Sequence, residues 1–180
     1  MLFNMVIGLT DMLQDMPLQP IAKQYVEMIG NNGAALLVIL NDILDFARIE
    51  AGRLQLHPED FDLHELLDET IGMLGYQAVG KNLDIYGQVA ENVPQWIHAD
   101  SVRLRQILIN LIVNAIKFTK SGEIIVQVTV ASDSAGILRF SVRDTGIGIP
   151  ADKMDLLFKP FSQVDSAATR EYGGTGLGLS

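Results

Sequence analysis

Three stretches carry residue types able to do chemistry. Arg103, Gln106, Asn110, Asn114 and Lys117 recur at steps of three and four. On an α-helix they fall within about 80° of one another. Asn carbonyl oxygens are neutral, hard ligands suited to Mg2+, and a Lys ammonium is a point charge for phosphate. An ordinary water-facing helix surface has the same appearance. The second stretch is Asp144-Thr145-Gly146-Ile147-Gly148, directly after an alternating segment. An Asp at a strand end is an acceptor held on a rigid element, and two glycines two apart let backbone approach a flat ligand. A simple turn accounts for the motif equally well. The third is Gly173-Gly174-Thr175-Gly176-Leu177-Gly178. Glycines at this density expose backbone N–H groups that can cradle phosphates. A polar loop precedes it rather than a strand, which departs from the dinucleotide fingerprint, and no Gly-Lys-Ser/Thr follows. A flexible linker is the alternative.

The first stretch needs a helix, and the sequence supplies one from Asp100, a capping residue, to about Phe118. Leu104, Ile107, Leu108, Leu111, Ile112 and Ala115 make its apolar arc. Around it the texture is mixed. Phe61 to Leu63 reads as a short strand, His64 to Val79 as a helix, and Leu83 to Val89 as a strand. Glu123 to Ala131 alternates as a strand, Asp133 to Gly136 makes a turn, and Ile137 to Arg143 returns as its partner. A short helix follows Pro150, and then a loop rich in polar residues and Gly.

The first 52 residues are different in kind. Leu2, Val6, Leu9, Leu13 and Met16 step by four and three until Pro17 and Pro20 interrupt. Ala22, Val26, Ile29, Gly33, Leu36, Leu40, Ile43 and Ala47 resume the alternation over about 30 residues, roughly 45 Å of helix. Gly52 is a plausible stop. Two helices cannot bury such long stripes against each other alone. Pairing into a four-helix bundle would, which predicts a homodimer. The alternative is a hairpin packed on the second half of its own chain.

Composition bounds what remains. The 180 residues are 48% hydrophobic and 19% charged, a globular balance. Lys+Arg is 13 and Asp+Glu is 22, for a formal net charge of -9. A nucleic-acid binder working by phosphate neutralisation carries the opposite sign, so no nucleic-acid partner is expected. The absence of Cys removes disulfides, zinc–thiolate sites and thiol catalysis, and fits a reducing compartment. The longest apolar run, Ala34 to Leu40, is far short of a membrane helix. The expectation is a soluble, cytoplasmic segment, with any membrane anchor in other parts of a parent chain.

The order of these motifs resembles the ATP-binding domain of sensor histidine kinases of the hybrid type. Asp100 to Thr119, with Asn110, Asn114 and Lys117, matches the family's N box. Asp144 to Gly148 matches the G1 box, Phe158 to Phe161 the F box, and Gly174 to Gly178 the G2 box. Gln163 to Arg170 looks like the ATP lid, and the first 52 residues resemble the dimerisation bundle. The fold implied is α+β. An antiparallel helical hairpin (residues 1–52) is followed by a linker (53–60) and an α/β sandwich of the histidine kinase/gyrase/chaperone type (61–180). The resemblance implies ATP and Mg2+ as ligands. Asn114 would bind the metal, Asn110 would help at the phosphates and Lys117 would neutralise their charge. Asp144 would accept from the adenine amino group, with Gly146 and Gly148 giving the base room. Phe158 would belong to the pocket and Arg170 would reach the terminal phosphate. Gly174, Gly176 and Gly178, with Thr175 and Leu177 between them, would close over the nucleotide. The reaction implied is transfer of the ATP γ-phosphoryl group to a His and onward to an Asp on a response-regulator receiver domain.

Two departures qualify this. The family's phosphoacceptor His would precede Met1, and the sequence from Phe3 resembles the stretch just downstream of it. His57 and His98 read as surface or loop residues, and His64-Glu65 as a chance imitation of the acceptor pair. Family members also continue past the G2 box with a helix and two strands, so the chain reads as cut at both ends. No self-phosphorylation is expected. Two other readings remain open: an ATPase of the gyrase/chaperone superfamily, and a non-catalytic dimerisation or regulatory module. An ATPase needs an acid near the first Asn to activate water, and none lies between Arg103 and Lys117.

Overall fold

The computed structural model describes residues 2–131 and 136–157. The chain divides into two compact units, Met1–Leu54 and Gln55–Ser180.

The first unit is a hairpin of α1 (Leu2–Gln14) and α2 (Pro20–Glu50). Pro20 opens α2 at its first turn, where its missing N–H costs nothing. Gly52 takes φ +62 just past the helix end, the left-handed conformation that ends helices. The helices run antiparallel and close: a methyl added at Gly30 would lie 3.4 Å from Thr10 Oγ1, and one at Gly33 would lie 3.4 Å from Ile7 Cγ1. Thr10 is buried there, its hydroxyl donating to Ile7 O at 2.7 Å. No residue of α2 is fully buried. Val6, Leu9, Leu13, Ile29, Leu36 and Ile43 are all exposed.

The second unit is a two-layer sandwich. Its elements are β1 (Glu59–Asp62), α3 (Leu63–Val79), β2 (Leu83–Val89), β3 (Trp96–Ala99), α4 (Ser101–Phe118), β4 (Gly122–Val130), β5 (Leu138–Asp144) and a 3-10 turn (Ala151–Leu156). The main sheet has the order β2-β4-β5, with β2 parallel to β4 and β5 antiparallel to it. Its central strand alternates as the sequence does: Ile124, Val126 and Val128 are wholly buried against α3 and α4. Leu63, Leu66, Leu67, Leu74, Leu108, Ile112 and Ile116 complete the core from the helices.

Three expectations are corrected. The first strand of the sandwich is Glu59–Asp62, and Leu63 already belongs to α3. Asp62 ends the strand because its Oδ1 caps α3, accepting from His64 N (2.8 Å) and Glu65 N (3.1 Å). A strand that the pattern does not announce, β3, pairs antiparallel with β1. Ile107, assigned to the apolar arc of α4, is 56% exposed. The buried face is centred on Leu108, Ile112, Ala115 and Ile116, so Ile107 lies about 100° from Leu108, next to the polar stripe.

Candidate functional site

The site is built on α4. Asp100 caps it: Oδ1 accepts from Arg103 N at 3.0 Å and Oδ2 from His57 N at 2.9 Å. These two backbone donors, His57 first, hold the Asp100 carboxyl below the usual carboxylate range. Arg105 ties α4 to α3 through Glu69 Oε2 at 2.6 Å. The helix is thereby fixed at its start and along one side.

The sequence-derived stripe runs along α4 opposite the core. Arg103, Gln106, Asn110, Asn114 and Lys117 are all half-buried. Arg103 Nη1 donates to Gln106 Oε1 at 2.7 Å. Among the described residues no hydrogen bond engages the side-chain amides of Asn110 or Asn114. Lys117 lies in the last turn with Nζ 5.0 Å from the Phe118 ring centroid, and burial pushes its ammonium below the ordinary lysine value. From Asn110 to Lys117 the stripe covers about 10 Å of helix, the scale of an extended triphosphate.

The Asp144 turn meets this helix at its C-terminal end. Asp144 closes β5, and its Oδ1 accepts from Gly146 N at 2.9 Å. Ile147 N donates to Phe118 O at 3.3 Å, stitching the turn to the last residue of α4. A methyl on Gly146 would lie 2.5 Å from Phe118 O, 2.8 Å from Asp144 Oδ1 and 2.9 Å from Thr119 Oγ1. The first glycine is therefore required by space. The second, Gly148, has open space around it but adopts φ +67. The structure thus brings Asp144, Gly146, Gly148 and Lys117 to one end of α4, with Asn114 and Asn110 one and two turns up the same helix.

Sequence reasoning assigned no role to four residues at this junction. Lys81, just beyond α3, donates from Nζ to Ile116 O at 2.9 Å, placing a cation at the negative end of α4. Thr145 Oγ1 accepts from Glu123 N at 3.1 Å, pinning the turn to the start of β4. A methyl on Gly122 would lie 2.2 Å from that oxygen, so only glycine fits there. Thr119, next after α4, is 1% exposed, and its hydroxyl has no hydrogen-bond partner among the described residues. A basic residue after a helix-ending glycine, as in Gly80-Lys81, was the one signal available, and it did not say which helix would be capped.

The remaining candidates, Phe158, Arg170, Gly174, Thr175, Gly176, Leu177 and Gly178, lie outside the described residues. None of the three histidines stands in a cluster of metal ligands among the described residues. His64 is the second residue of α3 and is exposed. His98 Nδ1 lies 2.7 Å from Asp60 Oδ1 on the β1–β3 ribbon. No described helix is long and apolar enough to cross a membrane.

Comparison with known proteins supplies the family. The model of the "Histidine kinase-, DNA gyrase B-, and HSP90-like ATPase" family matches residues 99–180. That of the "His Kinase A (phospho-acceptor) domain" matches residues 3–52. The sensor protein GacS of Pseudomonas syringae pv. syringae is 42% identical over 98% of this chain, which covers 20% of GacS. The chain spans between 8% and 25% of the length of the curated relatives it matches. Full-length ShkA, solved in complex with AMPPNP, superposes with TM-score 0.80 at 34% identity, over 98% of this chain and 36% of ShkA. The catalytic domain of the histidine kinase ThkA superposes with TM-score 0.56 at 31% identity, over 68% of this chain and 75% of that domain. ThkA has also been solved in complex with the response regulator protein TrrA, with TM-score 0.59 at 26% identity, over 94% of this chain and 50% of that one. With its polar helix stripe, its Asp-x-Gly-x-Gly turn and these relatives, the chain belongs to the histidine kinase family of two-component signalling.

Proposed function

We propose that this chain is the ATP-binding core of a sensor histidine kinase. It binds Mg-ATP along the polar, half-buried side of α4 and presents the γ-phosphoryl group to a histidine, from which it passes to an Asp on a response-regulator receiver domain. The observation that carries this is one juxtaposition. Two half-buried amides and a partly desolvated lysine share one stripe, and a strand-end carboxylate meets that stripe at Phe118.

The residues fit Mg2+. No group of three or more His, Cys, Asp or Glu is gathered among the described residues, so an all-protein cage is not on offer there. Mg2+ keeps several waters and takes few protein ligands beside substrate phosphates. Asn114, with Asn110 beside it, supplies neutral amide oxygens on a rigid helix, which suits that habit. When bound, the ion neutralises phosphate charge as it develops at the transferring group.

The chain's own residues do the rest by positioning and electrostatics. Lys117 places a cation at the phosphates, and partial burial strengthens that attraction. Asp144 accepts from the exocyclic amino group of adenine with Oδ2, since Oδ1 already takes the Gly146 N–H. Arg170 and the glycines from Gly174 to Gly178 close the lid on the phosphates and exclude water. No carboxylate lies between Arg103 and Lys117 to activate water, which favours transfer over hydrolysis. Residues 3–52 contain no histidine, so the acceptor imidazole is supplied from outside this segment. The exposed stripes of α1 and α2 are covered by a second copy in a four-helix bundle.

The test uses ATP labelled at the γ-phosphate with Mg2+. The chain alone is expected to acquire no acid-labile phosphate. Added to a histidine-bearing hairpin of the same family, it is expected to label that histidine. Stable label on the isolated chain, or rapid release of inorganic phosphate in place of transfer, would overturn the proposal.

A further inference from the structure

Two members of the α4 stripe, Arg103 and Gln106, take no part in the proposed function. Their place along the helix gives the reason. The Asp144 turn meets α4 at Phe118, which sets the base at that end. The stretch from Lys117 to Asn110 covers about 10 Å, which an extended triphosphate fills. With the nucleotide so placed, Arg103 lies about 10 Å beyond Asn110, past the γ-phosphoryl group. The chemistry at this end is that of a protein contact. Arg103 Nη1 donates to Gln106 Oε1 at 2.7 Å, which fixes the plane of a guanidinium whose fork matches a carboxylate. On either side stand apolar residues that the fold does not bury: Val102 is 69% exposed and Ile107 56%. Val102, Gln106, Arg103 and Ile107 follow one another across about 140° of the helix surface. An arginine among apolar side chains is the composition of an interface hot spot. The backbone beneath is held at two points, by the Asp100 cap at Arg103 N (3.0 Å) and by the Arg105–Glu69 ion pair (2.6 Å).

We propose that the N-terminal half of α4 is a docking face for the helix that carries the acceptor histidine, with Arg103 as the residue that positions it. This inference rests on the ATP reading of the site and deepens it by stating what the acceptor must present. The acceptor imidazole has to reach the γ-phosphoryl group at the Asn110 end of the nucleotide. A helix laid there meets the first two turns of α4 next. Arg103 takes a carboxylate on that helix, about 10 Å, or about two turns, from the histidine. Val102 and Ile107 cover apolar side chains that flank this carboxylate. The face is small, which suits a transient encounter in which the acceptor leaves after each transfer.

The test measures transfer from γ-labelled Mg-ATP to a histidine-bearing hairpin of the same family at varied hairpin concentration, with Mg-ATP affinity measured separately by calorimetry on the whole chain. Arg103→Ala is expected to raise the KM for the hairpin at least about tenfold, with kcat and Mg-ATP affinity unchanged. Arg103→Lys should recover part of that loss and Arg103→Glu should deepen it. The rise of KM with salt should be smaller in Arg103→Ala than in the wild type. A purely structural role would move nucleotide affinity as well and would not follow the charge at this position. Ile107→Asp, at an exposed site, repeats the test should Arg103→Ala fail to fold, and is expected to raise the same KM with Mg-ATP affinity intact. An unchanged KM in either variant would overturn the inference. So would a loss of Mg-ATP affinity in Arg103→Ala, which would make Arg103 a nucleotide contact. Absence of Mg-ATP binding or of any transfer in the wild type would sink the underlying reading and this inference with it, whereas tight ATP binding and normal transfer with the hairpin KM unmoved would sink only the docking face.

Discussion

Gly146→Ala is the perturbation that separates site geometry from general stability. The added methyl would sit 2.5 Å from the carbonyl oxygen of Phe118, with Asp144 Oδ1 at 2.8 Å and Thr119 Oγ1 at 2.9 Å. Ordinary carbon–oxygen contact is nearer 3.3 Å, and the closest atom is backbone at the end of a packed helix. It cannot swing aside as a side-chain tip can. Overpacking of this kind costs about 1–3 kcal/mol. Relief requires the turn to move off α4, which breaks the Ile147–Phe118 hydrogen bond of 3.3 Å and carries Asp144 away from the Lys117 stripe. The variant is therefore expected to lose about 1–3 kcal/mol in urea unfolding and, separately, at least about tenfold in Mg-ATP affinity by calorimetry. Two controls bracket it. Gly72→Ala lies inside α3 with nothing within 4 Å, and should gain about 0.5–1 kcal/mol with affinity unchanged. Gly148→Ala meets no clash but holds φ +67, and should lose about 1–2 kcal/mol. Wild-type nucleotide affinity in Gly146→Ala would refute the claim that the turn and α4 form one site.

Lys81→Met removes the charged donor from Ile116 O and should lower stability by about 1–2 kcal/mol in urea. Lys81→Arg should recover part of that loss. The hairpin stripe predicts a dimer, and Leu36→Asp, at a position 41% exposed within one hairpin, should weaken it at least about tenfold by sedimentation. A monomeric wild type would contradict the bundle. Asp62 and Asp100 both have lowered carboxyl pKa values, Asp62 chiefly through its bond from Gln95 and Asp100 chiefly through that from His57 N. Their contribution is full above the unfolded carboxylate value near about 4 and is lost as pH falls through the lower folded values. Acid unfolding monitored by circular dichroism should show this loss, and Asp100→Asn should flatten the pH dependence.

What was legible in the sequence was local. Asp100 announces its cap because a side chain and a backbone N–H three residues on are enough to make it. Gly52 announces a helix end, and the steps of three and four place Asn110, Asn114 and Lys117 on one stripe. What was hidden depended on partners distant in sequence. Strand β3 is four residues long, follows Pro94, and exists because β1 pairs with it. Ile107 fits the apolar period, yet the core face of α4 is decided by where α3 and the sheet meet it, around Leu108 and Ile112. Thr119 and Thr145 read as ordinary threonines, and they matter through Gly146 and Glu123, which other strands bring to them.

In the proposed function the α4 stripe holds the magnesium-bound phosphates of ATP. Calorimetric titration of the wild type and of Asn114→Ala with Mg-ATP tests it most directly. Saturable binding is expected of the wild type, weakened at least about tenfold in the variant, with the loss shrinking when Mg2+ is chelated. Equal affinity of the two proteins in the presence of Mg2+, or no affinity in the wild type, would contradict it.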